Sequence, residues 1–87
     1  MFQIKFSKQA EKFLSKCEQE LFDRIKKKLE TLKENPVPSD AKFIGRNNQG
    51  DKFFRIRIGK IRILYEIKET ERLIILSKID KRERVYD

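Results

Sequence analysis

The residues of this chain best suited to chemistry are arginines, and they recur at strand spacing. In KFFRIRIGKIRILY (Lys52–Tyr65), Arg55 and Arg57 share one parity, and Arg62 falls on the matching parity beyond Gly59-Lys60. Five basic residues and no acid lie from Lys52 to Arg62. Strand surfaces favour β-branched and aromatic side chains, so three arginines on an exposed strand face suggest a ligand. The guanidinium fork matches the oxygens of a phosphate. The plainer reading is a solvated face balanced by cross-strand acids, with Glu66 as a partner for Arg55. The segment holds too few acids to neutralise its charge. A second group, Arg82, Arg84 and Tyr86, closes the chain in KIDKRERVYD. It is either a frayed basic terminus, pinned by Val85 and Tyr86, or a site where tyrosine stacks on a base while the arginines hold the backbone.

Other polar positions read as structure. The lysines at 26–28 form a solvated helix face. Cys17 lies on an apolar helix face as a buried small hydrophobe. Asp80 and Glu83, beside the tail arginines, read as salt-bridge partners rather than a metal pair.

Composition narrows the chemistry further. The 87 residues carry a formal charge of +8, with one cysteine and no histidine. A single small domain spanning 1–87 is expected, and its charge favours a polyanionic partner. Without histidine or a second cysteine there is no intrachain disulfide, no standard zinc cluster and no Ser-His-Asp or Cys-His catalysis. No metal or other cofactor is expected. No apolar run reaches membrane-spanning length and no signal peptide is recognisable, so the expected location is the cytoplasm.

The elements that must position the arginines follow from periodicity. Phe2, Ile4 and Phe6 alternate as a first strand, and Ser7 is a helix N-cap. Ala10, Phe13, Leu14 and Cys17 predict a helix over 8–18; Leu21, Phe22, Ile25, Leu29 and Leu32 predict a second, stopped by Asn35-Pro36. A break near Gln19 is preferred to one 27-residue helix. Residues 36–51 form a connector, with Phe43-Ile44 plugging the core edge and a mobile surface loop at Gly45–Gly50. A hairpin about Gly59-Lys60 and a last strand from Leu73 to Ile79, apolar on both parities, complete the chain. The expected fold is α+β, in the order β-α-α-β-β-β. A helical hairpin covers one face of a curved, mainly antiparallel sheet, and Arg55, Arg57 and Arg62 lie exposed on the other. Parity carried past Ile79 would put Arg82, Arg84 and Tyr86 on one side, unless a bulge intervenes.

RIRIGKIRILYEI (residues 55–67) followed by KIDKRERVY (residues 78–86) resembles the RelE/ParE superfamily of small toxins from toxin–antitoxin pairs, and the likeness extends over the whole chain. The spacing of Arg57, Gly59, Arg62 and Tyr65, with Lys81-Arg82-Glu83-Arg84 near the end, carries it and favours the RelE-like branch. That resemblance implies a RelE-like fold and a ribosome-dependent endoribonuclease acting on messenger RNA. Arg55 and Arg57 would occupy the two basic catalytic positions, Arg62 would stabilise the scissile phosphate, and Arg82 would act as general acid. Tyr86 would stack on the substrate base, with Lys52, Lys60, Lys81 and Arg84 contacting substrate. Arginine is a poor general base; the resemblance implies that relatives often carry histidine or glutamate for that role, Asp80 lies near where some of them place one, and Lys52 and Lys60 are the alternatives. The implied partners are the ribosome, messenger RNA and an acidic antitoxin. A ParE-like inhibitor of DNA gyrase and a non-catalytic nucleic-acid-binding module are the competing readings.

Overall fold

The computed structural model describes residues 1–81, so Arg82, Glu83, Arg84, Val85 and Tyr86 lie outside the described residues. The chain runs β1 (Gln3–Phe6), α1 (Lys8–Lys16), α2 (Gln19–Glu34), β2 (Lys42–Arg46), β3 (Lys52–Ile58), β4 (Ile61–Lys68) and β5 (Leu73–Lys81). Ser7 caps α1 as expected, its hydroxyl accepting from the Ala10 N–H at 3.1 Å. The helix ends at Lys16, two residues before the expected limit, because Cys17 and Glu18 both adopt extended backbone. Two such residues in succession break the helical ladder, so the preferred break between helices is present. Cys17 is half-buried rather than buried, and its thiol donates to the Leu14 carbonyl at 3.5 Å. Asn35 closes α2, its N–H donating to the Thr31 carbonyl.

The sheet order is β1-β5-β4-β3-β2, with β1 parallel to β5 and every other pair antiparallel. The α+β architecture is as expected, with one strand more than periodicity gave. Lys42–Arg46 pairs with β3 as an edge strand, where a connector was expected. Phe43 and Ile44 are 51% and 47% exposed; Phe43 packs edge-on against the core residue Phe54, ring centroids 5.6 Å apart, while Ile44 lines a cavity with Arg55, Arg62 and Leu64. Asn47–Gly50 is a fastened turn rather than a mobile loop. The Asn47 side chain accepts from the Gln49 and Asp51 N–H groups and donates to Glu66 at 2.6 Å.

One sheet face carries the core. Phe54, Ile56 and Ile58 of β3, Ile61, Ile63, Tyr65 and Ile67 of β4, and Ile74, Leu76 and Ile79 of β5 are buried with Ala10, Ile25, Leu29 and Leu32 of the helices. Ile56, Ile63 and Ile79 are in register across three strands, each 0% exposed. Burying one such side chain stabilises by about 1.5–3 kcal/mol. Tyr65 buries its ring here and donates its hydroxyl to the Pro36 carbonyl at 2.7 Å, joining the sheet to the end of α2. Burial pushes that hydroxyl above the ordinary tyrosine range, with the Asp40 charge adding to the effect.

Two local features set where the opposite face points. Gly59, at φ +57°, makes the two-residue hairpin turn closed by Ile58 and Ile61. A Cβ at Gly59 would stand 3.1 Å from Arg24 Nη1 of α2. In β5 the register slips: Leu64 pairs with Lys78, but Tyr65 pairs with Leu76, leaving Ser77 as the extra residue. The bulge reverses parity. Ile74 and Leu76 face the core before it and Ile79 after it, so Lys78 and Asp80 turn to the open face.

Candidate functional site

Register assembles the open face from rungs. Arg57 pairs with Arg62, which pairs with Asp80. Two residues along, Lys42 pairs with Arg55, Arg55 with Leu64 and Leu64 with Lys78. Five cations from four strands therefore gather on two adjacent rungs, with the isoleucine rung beneath them on the core side. Arg55, Arg57 and Arg62 share one face, as their spacing implies.

The face is not uniformly open. Arg62 was expected to be exposed and is 5% exposed. It stands on an interior strand between Arg57 and Asp80. A cavity of about 240 Å³ lies over this part of the sheet, lined by Ile44, Arg55, Arg62, Leu64, Lys78 and Asp80. Leu64 and Ile44 give it apolar walls among the charges. Beside it a second hollow of about 490 Å³ is lined by Asp40, Lys42, Arg55 and Arg57. Lys28 donates to Asp40 at 2.8 Å and thereby holds its carboxyl below the ordinary range. The arrangement can take a phosphate at Arg62, with Arg55 and Arg57 against the adjoining backbone and a flat apolar group near Leu64.

The Glu66–Arg55 pair of the plainer reading is not formed among the described residues, because the register sets Glu66 opposite Phe53. Glu66 instead belongs to a network at the far end of β4. Lys68 Nζ lies 2.8 Å from Asp51 and 3.4 Å from Glu66, and Asn47 donates to both carboxylates. The hydrogen bond from Lys68, then that from Asn47, lowers the Asp51 pKa; the bond to Asp51 raises that of Lys68.

The lysines expected at the site stand elsewhere. Lys52 has the parity of Phe54 and Ile56, the core-side parity. Lys60 is in the hairpin turn. Lys81, opposite Ile61, lines a hollow beside α1 with Gln9, Lys12 and Cys17. Lys42, Ile44, Lys78 and Asp80 were missed as site residues. The first two lie on the unread edge strand and the last two depend on the bulge; the Lys-x-Asp spacing was their one visible signal. Asp80 also makes the loose salt bridge expected of it, though to Lys78 at 3.6 Å. Among the described residues no His, Cys, Asp and Glu group is placed to hold a metal, and no helix is long and apolar enough to cross a membrane.

Gln9 of α1 holds β5 where these residues leave it. Its amide donates to the Ile79 carbonyl at 2.7 Å and accepts from the Ile79 N–H at 2.9 Å. Beyond the Phe6–Leu76 pair β1 has ended, and Gln9 supplies the missing strand contact next to Asp80.

The profile of the ParE toxins of type II toxin–antitoxin systems (parDE) matches residues 4–86. The RelE1 toxin homologue of Methanocaldococcus jannaschii is 35% identical over 85 residues, covering 98% of this chain and 94% of its own. The archaeal RelE–RelB complex from Pyrococcus horikoshii contains a chain that superposes with a TM-score of 0.85 at 23% identity, covering 97% of this chain and 98% of that one. The isolated Escherichia coli RelE toxin superposes at 0.81 with 21% identity, covering 98% and 88%.

Proposed function

Because this chain belongs to the RelE/ParE superfamily of type II toxins, on its RelE-like side, we propose that it is a ribosome-dependent endoribonuclease cleaving messenger RNA. The observation that carries the reading is the Arg57–Arg62 rung. Two guanidinium groups directly opposite each other on one sheet face offer forks that match the oxygens of a phosphate. The 2′-hydroxyl attacks the adjacent phosphorus, forming a 2′,3′-cyclic phosphate and releasing a 5′-hydroxyl. Arg62 offsets the charge growing on the phosphate; Arg55 and Arg57 hold the flanking backbone. The ribosome aligns the hydroxyl with the phosphorus. Arg82, as general acid, and Arg84 and Tyr86, as substrate contacts, complete the proposed site from the resemblance alone. An acidic antitoxin holds the toxin inactive, in keeping with the RelE–RelB complexes of the structural relatives.

A second reading, inhibition of DNA gyrase, has in its favour that the matching profile is that of ParE toxins. Expression in cells separates the two. Cuts inside codons of translated messages support the nuclease; an induced DNA damage response with intact messages supports the gyrase inhibitor and overturns it.

A further inference from the structure

We propose that Asp80 is the general base of the cleavage step, an inference that rests on the nuclease reading above. The attacking 2′-hydroxyl must lose its proton. An arginine keeps its own proton at any pH at which proteins work, and the chain has no histidine. Lys52 stands on the core-side parity and Lys60 in the hairpin turn, which leaves a carboxylate of the open face as the candidate base.

The carboxylates near that face differ in what they already do. Asp40 takes the Lys28 ammonium at 2.8 Å and borders the outer hollow with Lys42, Arg55 and Arg57. Glu66 and Asp51 are tied to Asn47 and Lys68, and Glu66 stands four residues along β4 from Arg62. Asp80 is the cross-strand neighbour of Arg62 and lines one cavity with Arg55 and Arg62. Cβ atoms of such neighbours lie about 4.5–5.5 Å apart. A phosphate held by Arg62 therefore places its adjoining ribose within reach of the Asp80 carboxylate. That side chain is 37% exposed, open to a ligand as Glu66 is not. Lys78 stands 3.6 Å from Oδ2, and the Lys81 N–H donates to Oδ1 at 3.1 Å. An ionised carboxylate offers about four lone-pair sites, so acceptor capacity remains. Among the described residues, the charged groups that share its cavity are Arg62 from β4, Arg55 from β3 and Lys78 from β5 itself.

The step balances without a co-reactant. Asp80 takes the 2′-hydroxyl proton as the O2′–P bond forms. The P–O5′ bond breaks, the leaving oxygen takes a proton from the general acid of the proposed function, which solvent reprotonates, and Asp80 returns its proton to solvent.

The test is single-turnover cleavage on programmed ribosomes by the wild type, Asp80→Asn and Asp80→Glu, each over neutral pH. General-base catalysis is worth about 10²–10⁴-fold, so Asp80→Asn is expected to lose at least about a hundredfold, with Asp80→Glu recovering part. The Asn variant relies on hydroxide, so its rate is expected to rise more steeply with pH than that of the wild type. Asp80→Ala with added formate is the independent measurement should the Asn variant fail to fold, and a rate rising with formate is expected. Unchanged cleavage by Asp80→Asn overturns the proposal. So does a slower variant with the wild-type pH profile and no formate rescue, which would make Asp80 only a support for Arg62. Absence of cleavage by the wild type overturns the nuclease reading itself, and this proposal with it.

Discussion

Arg57 of β3 and Arg62 of β4 are direct cross-strand partners on the open face of the sheet. The hairpin that pairs them also pairs Ile58 with Ile61 and Ile56 with Ile63 on the core face. A one-residue slip would send the isoleucines to solvent and the arginines to the core. The core therefore fixes the register that opposes the two like charges, and the site is held together by the packing behind it.

Arg62 is the residue whose replacement tests the phosphate contact. Arg62→Leu keeps much of the buried volume and removes the charge. Arg62 has interactions of its own within the fold, and removing one member of a buried charged contact is destabilising, so the melting temperature is expected to fall while the variant remains folded. Loss of one phosphate-stabilising donor costs about 3 kcal/mol, roughly a hundredfold in rate. Thermal denaturation and a growth-arrest assay measure the two; a folded variant with full toxicity contradicts the assignment.

Gln9→Ala removes both hydrogen bonds that hold Ile79. Each is worth about 0.5–1.5 kcal/mol, so a loss of about 1–3 kcal/mol is expected in denaturant unfolding. Amide exchange is expected to quicken at Ile79 while the Ile56–Ile63 rung stays protected. Unchanged exchange at Ile79 would show that β5 is held there by something else.

The Asp51–Lys68 pair gives the fold a window of pH. Asp51 titrates below its ordinary value of 3.8, so its contribution is present above that value and fades as pH falls through the lower, folded one. Lys68 titrates above its ordinary 10.5, so its contribution is present below that value and fades as pH rises through the higher, folded one. Lys68→Met is expected to remove the alkaline loss and weaken the acid one. Melting temperature against pH checks this; identical curves for the variant and the wild type rule it out.

Removal of Tyr86 and Asp87 by truncation after Val85 is expected to weaken cleavage and leave ribosome binding largely in place. Stacking on a base is worth about 1–3 kcal/mol, while the cations supply most of the attraction. Undiminished cleavage by the truncated protein would leave Tyr86 no part in orienting substrate.

Much of this architecture is legible where a residue pattern has one physical solution. Ser7 and Asn35-Pro36 delimit the helices, and the alternation from Phe54 to Ile67 fixes the hairpin and the shared face of Arg55, Arg57 and Arg62. The edge strand was not legible. Phe43 and Ile44 are adjacent apolar residues before Gly45, both exposed, so no alternation marks them. Arg62 lies buried on an interior strand, and strand order is not contained in the parity of one hairpin. Lys78 and Asp80 reach the site through the bulge at Ser77, and a one-residue insertion leaves no trace in a period-two pattern.

The most direct test of the central claim is to incubate the purified protein with a defined message, free and on ribosomes with that message in the A site. Fragment ends are then mapped, and gyrase supercoiling is assayed in parallel. The account predicts cuts within the A-site codon only when ribosomes are present, 2′,3′-cyclic phosphate and 5′-hydroxyl ends, and unimpaired gyrase. An intact message on ribosomes together with blocked supercoiling would contradict it.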